Sequence, residues 1–192
     1  MNQSEAILSL VREAGVLKNL RRSGWVLRGV RAAESIADHS FRVILLAMLL
    51  ADALRAAGEQ IDAERVLRLA VLHELGEARL GDIPSTAGRW LGEAAKEQAE
   101  DRAVRDLLAP LEGPEEGYAA SWQEFRAAAT REARLVRAAD KLEMIIQAWE
   151  YEQSGVRNLD EFFGNPANRP FFDEFPIVGE IVGLLERRRT ER

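Results

Sequence analysis

Val66-Leu67-Arg68-Leu69-Ala70-Val71-Leu72-His73-Glu74-Leu75-Gly76-Glu77 is the stretch whose reading decides the fold class. Val66, Leu69, Ala70, His73 and Glu77 recur at three- and four-residue spacing, so they share one face of a helix. An imidazole and a carboxylate thereby continue an apolar stripe. The same periodicity runs through nearly all of the chain, and no alternating stretch long enough for a strand interrupts it. The fold expected is all-α, with helices near residues 3 to 19, 36 to 57, 62 to 79, 90 to 109, 117 to 153 with one break, and 175 to 190. Ser35 and Asp62 are N-cap candidates, and Ser35 followed by Asp38 resembles a capping box. Gly58 and Gly81 close their helices.

Working outward, 192 residues suit one compact domain over residues 1 to 192, and neither the Pro110 to Gly117 loop nor the Gly164 to Pro170 loop is long enough to be a domain linker. The chain has no cysteine, which excludes disulfides and thiolate metal sites and leaves imidazole and carboxylate as the available ligands. The longest apolar run, Val43 to Ala51, is too short to span a bilayer, and the N-terminus lacks the pattern of a secretory signal; a cytoplasmic protein with no membrane partner is expected. A net charge of -6 opposes binding to long nucleic acid but leaves room for a small phosphate ligand held by local arginines.

Only two histidines occur. His39 shares a face with Val43, Leu46, Ala47, Leu50 and Leu54, and Asp140 shares one with Val136, Met144, Ala148 and Tyr151. Taken singly, each group could be satisfied on its own, a core histidine on a carbonyl or an aspartate beside an arginine. Taken together, charged groups in three apolar stripes call for a common partner, because burying an unpaired carboxylate is costly. A single divalent ion shared by three helices meets that need.

The residues resemble the HD-domain phosphohydrolases, and more closely the 5′-deoxynucleotidases of that superfamily. The resemblance is carried by Arg22-Ser23-Gly24-Trp25-Val26-Leu27-Arg28, Glu34 to Ser40, Leu72 to Glu77, Gly81-Asp82-Ile83-Pro84, and Ala139 to Met144 followed by Gln147 to Glu152. It covers about residues 17 to 152, leaving 153 to 192 as a C-terminal extension. It implies that His39, His73, Glu74 and Asp140 are metal ligands, with Glu74 where the family has aspartate. It implies catalytic carboxylates at Glu77 and Asp82 and substrate contacts at Arg22, Trp25, Arg28 and Ser85. Imidazole and oxygen donors suit manganese, cobalt, nickel, magnesium, iron or zinc. The activity implied is hydrolysis of deoxyribonucleoside 5′-monophosphates to nucleoside and phosphate, by a homodimer. Two other readings stay open: the same ligands acting on another phosphate ester, and a catalytically weak nucleotide-binding scaffold. Trp90, Trp122, Trp149, Phe162 and Phe163 are expected in the core or a subunit contact.

Overall fold

The computed structural model describes residues 2 to 191, the side chains of Ser85, Arg89 and Glu93 excepted. Helices of ten or more residues are labelled α1 (Gln3–Ala14), α2 (Ile36–Ala56), α3 (Ala63–Leu72), α4 (Glu93–Leu108), α5 (Glu115–Ala127), α6 (Arg131–Gln153) and α7 (Pro176–Thr190). Among the described residues no strand forms; an isolated antiparallel bridge joins Arg21 to Ser35. Among the described residues no helix is long and apolar enough to cross a membrane.

The centre is α2, α3 and α6, whose apolar faces meet in one cluster that includes Val43, Leu50, Val66, Leu69, Leu135, Val136 and Leu142. Phe175, Val178 and Val182 of the C-terminal segment complete that same cluster. The extension beyond residue 153 is thus part of the main core. A second cluster packs Leu75 and Leu72 against Val104, Leu107 and Trp122, and a third holds Trp25, Ala148, Tyr151 and Phe162.

Two expected helices are interrupted. The helix expected over 62 to 79 ends as a regular helix at Leu72. Leu75 N–H then donates to the Leu72 carbonyl and Glu77 N–H to the Glu74 carbonyl, both at 3.1 Å, three-residue closures that tighten the turn before a short helix at Glu77–Leu80. Gly76 allows this turn to lie against α4, where an added Cβ would meet Val104 Cγ2 at 3.1 Å. Ahead of α4, Gly92 at φ +77° divides the helix expected over 90 to 109 from a short one at Gly88–Leu91. The break expected between 117 and 153 falls at Ala128, in the left-handed region at φ +49°, before Thr130 caps α6 through the Ala133 N–H. Both predicted N-caps form, Ser35 with Asp38 as a full capping box and Asp62 accepting from Arg65 N–H.

Candidate active site

Three elements bring four donors to one point. The Ser35–Asp38 box fixes the start of α2 and with it His39 in the first turn; His73 and Glu74 occupy the tightened turn after α3; Asp140 lies midway along α6. One donor atom from each of His39, His73, Glu74 and Asp140 lies within 4.8 Å of the other three. His39 Nε2 is 3.2 Å from Asp140 Oδ1 and 3.7 Å from Glu74 Oε1, and His73 Nε2 is 3.9 Å from Glu74 Oε1. Glutamate's extra methylene is accommodated, because Arg22 Nη1 holds the same Oε1 at 2.8 Å.

The histidines are oriented for ligation. His73 Nδ1 bonds the Ala70 carbonyl at 2.7 Å and His39 Nδ1 bonds Glu143, so each Nε2 is turned to the cluster. Both Nε2 atoms are buried without a hydrogen-bond partner among the described residues, and such orphaned atoms fit a metal ion. Glu143, fully buried, is itself held by Arg42 Nε at 2.9 Å, and Arg42 Nη1 also bonds Glu150 at 2.6 Å.

The electrostatics favour positive charge at this point. Burial and the Arg22 charge oppose protonation of His39, yet Asp140 and Glu143 push it up to about 9. Burial pushes His73 below its ordinary value, toward the neutral imidazole that a metal requires. For Glu74 and Asp140 burial favours the neutral form, but His73 and Arg22 around the first, and Lys141 and His39 around the second, outweigh it and keep both ionised.

A cavity of about 280 Å³ opens on this cluster, a size for a small molecule. Arg22, Trp25, Arg28, Glu77 and Asp82 all line it. Ser85 has its side chain outside the described residues, although its neighbours Pro84 and Thr86 are at the cavity wall. Trp25 is fixed by Nε1 donating to Glu34 at 2.8 Å and by edge contact with Tyr151. Asp82 accepts from Ser23 N–H at 2.5 Å and so satisfies the first turn of the short helix Ser23–Val26. Glu77, pushed up to about 10 by burial and then by the Glu74 and Asp82 charges, is free of the surface pairing open to it, since Arg79 turns to Glu13 and Asp106.

Sequence reasoning missed the wall supplied by α4, α5 and the start of α6. Lys96, Glu100, Trp122, Phe125, Arg126 and Arg137 line the cavity, as does Phe162 from the C-terminal segment. Trp122 and Phe162 are buried as expected of core aromatics, and they serve the cavity too. Glu143 had a signal: it falls three residues after Asp140 on an apolar face, as Arg42 does after His39.

An all-α fold whose three central helices converge on two imidazoles and two carboxylates beside a polar cavity defines a class, that of helical proteins built around a candidate metal centre. A family model described as HD domain matches residues 14 to 169, and the chain belongs to that family. It is similar to the 5′-deoxynucleotidases HDDC2 of Dictyostelium discoideum, 37% identical over 76% of this chain and 77% of the relative, and of Homo sapiens, 30% identical over 97% and 88%. A solved structure of a conserved hypothetical protein from Pyrococcus furiosus superposes with a TM-score of 0.82 at 39% identity, covering 94% of this chain and 99% of that one. A predicted metal-dependent phosphohydrolase from Magnetospirillum magnetotacticum superposes with a TM-score of 0.68 at 27% identity, covering 97% and 94%.

Proposed function

We propose that the protein is a metal-dependent phosphomonoesterase that converts deoxyribonucleoside 5′-monophosphates to nucleoside and phosphate. The observation that carries this reading is the cluster of His39, His73, Glu74 and Asp140 at a small-molecule cavity, in a chain whose relatives over most of its length are 5′-deoxynucleotidases. These four residues would hold one divalent ion. When bound, the ion supplies Lewis-acid polarisation of a phosphoryl oxygen and activation of water.

The remaining chemistry belongs to side chains in the cavity. Glu77 and Asp82 are the carboxylates available to order the attacking water and move its proton toward the leaving 5′ oxygen. Arg22 steadies Glu74 through Nη1 and offers its other guanidinium donors to phosphate. Its charge is secure: burial opposes it, but Glu74, Asp140, Asp82 and Glu77 hold it above arginine's ordinary value. Trp25 and Phe162, with ring centroids 4.4 Å apart, form an apolar wall against which a sugar or base can pack. Arg28 lies over the Phe162 ring at 4.7 Å and is tied to Glu161 at 2.7 Å, which suits it to brace this wall beside the substrate.

Residues 1 to 192 act in this reading as a single domain, supported by the entry of Phe175 and Val178 into the central cluster. The working form is a homodimer, supported by a stripe of exposed Phe41, Leu45, Met48 and Leu49 on α2. The experiment that tests the activity is phosphate release from dAMP, dGMP, dCMP, dTMP and dUMP with each of manganese, cobalt, nickel, magnesium, iron and zinc. Turnover of at least one nucleotide is expected. Absence of turnover with every metal overturns the reading.

A further inference from the structure

The cations that line the cavity are almost all neutralised by the protein itself. Arg22 pairs with Glu74, Arg28 with Glu161, and Lys141 with Asp140 at 2.9 Å. On α4 and α5, Lys96 and Arg126 share Glu100, at 3.8 and 2.8 Å. Arg137 differs: among the described residues it has no carboxylate within 4.0 Å. Its Nε donates to the Phe125 carbonyl at 3.1 Å and one terminal nitrogen donates to the Arg126 carbonyl. The other terminal nitrogen makes no hydrogen bond among the described residues. A half-buried guanidinium is thereby clamped in one orientation with its charge unspent.

Its place along α6 says which part of a ligand it faces. Asp140 lies one turn after Arg137 and Met144 one turn after Asp140, so the three share a face, and all three line the cavity. Met144 packs with the cluster of Trp25 and Phe162, the apolar end. Arg137 lies on the other side of Asp140. Phe125 links it to the metal cluster, its ring 5.2 Å from the Arg137 guanidinium carbon and 5.7 Å from the His73 ring in an edge-on contact. Burial, then the neighbouring Arg126, lowers the guanidinium below arginine's ordinary value, a disadvantage that an arriving anion relieves.

We propose that Arg137 is a second substrate-binding cation, which with Arg22 receives the non-bridging oxygens of the phosphate, with the nucleoside extending past Asp140 toward Met144, Trp25 and Phe162. A phosphomonoester carries up to two negative charges near neutral pH, and a planar guanidinium fork matches its oxygens. This rests on the phosphomonoesterase reading and adds to it the direction in which the substrate lies.

The test compares the metal-loaded wild type with Arg137→Gln and Arg137→Lys. Four quantities are read: KM for the best deoxynucleotide, the binding constant of inorganic phosphate by calorimetry, inhibition by the product nucleoside, and bound metal. Arg137→Gln is expected to weaken phosphate binding and raise KM about tenfold or more. Nucleoside inhibition and metal content should stay unchanged, and Arg137→Lys should recover most of the phosphate affinity. Three results overturn the assignment: unchanged phosphate binding and KM in Arg137→Gln, a loss falling on the nucleoside in place of phosphate, or Arg137→Lys as weak as Arg137→Gln, which would trace the effect to the lost carbonyl clamp. If the wild type hydrolyses no deoxynucleotide yet binds phosphate through Arg137, the phosphomonoesterase reading fails and this assignment stands.

Discussion

At the scale of single residues, the site depends on what surrounds each ligand. Glu143 is fully buried, grips His39 Nδ1 and is itself gripped by Arg42, an arrangement that fixes the ring's orientation and raises its basicity. Glu143→Gln is therefore expected to weaken metal affinity by about 10- to 100-fold with His39 intact, measured by competition with a chromophoric chelator. Glu74 makes a second test. Because Arg22 and the metal cluster share its Oε1, Glu74→Gln should lose at least about tenfold in metal affinity, and an unchanged affinity in the same competition would remove Glu74 from the ligand set. Three candidate ligands, His39, His73 and Asp140, were legible in the sequence because each is a charged or polar group set in an apolar helical stripe, a conflict that asks for a partner; Glu74 lies off that stripe and was suggested by the family resemblance alone. Arg137 was not legible. It follows Val136 in a helix rich in arginine, and nothing local distinguishes a cation facing a cavity from one facing solvent; that difference comes from α4 and α5 folding over it.

At the scale of elements, helix ends position the chemistry. The Ser35 cap starts α2 one turn before His39, and its loss should cost about 1 kcal/mol. Ser35→Ala is expected to lower the thermal midpoint and also to loosen metal binding, whereas an equal-cost change remote from the site would lower only the midpoint. The break at Ala128 offers the opposite sign. An alanine in the left-handed region is disfavoured by about 1 kcal/mol, so Ala128→Gly should raise stability by a few tenths of a kcal/mol to about 1, read from denaturant unfolding. Capping residues and periodicity make such ends visible in advance, as at Ser35 and Asp62. The tightened turn at His73 to Gly76 was not visible, since it arises from the packing of Gly76 against Val104 of a helix nearly thirty residues on. That turn separates the His73–Glu74 pair from Glu77, which the regular spacing had placed on one continuous face.

At the scale of the whole molecule, the C-terminal segment is structural. Phe175 is fully buried against the central helices, and Phe175→Ala is expected to cost about 3 to 5 kcal/mol in unfolding free energy. Its role was hidden in the sequence because residues 153 to 192 carry few of the family-like motifs and their apolar residues declare a face without naming what it meets. The exposed Phe41, Leu45, Met48 and Leu49 stripe belongs to this scale as well, and Leu49→Glu should shift sedimentation from dimer to monomer while leaving the fold intact. The central claim is that one ion, held by His39, His73, Glu74 and Asp140, underlies hydrolysis of a nucleotide's phosphate ester. Its most direct test is to titrate a divalent metal into chelator-stripped protein while following phosphate release from a deoxyribonucleoside 5′-monophosphate. The rate should rise from near zero and level off at one ion per chain; a rate that ignores the metal, or that never rises, would contradict it.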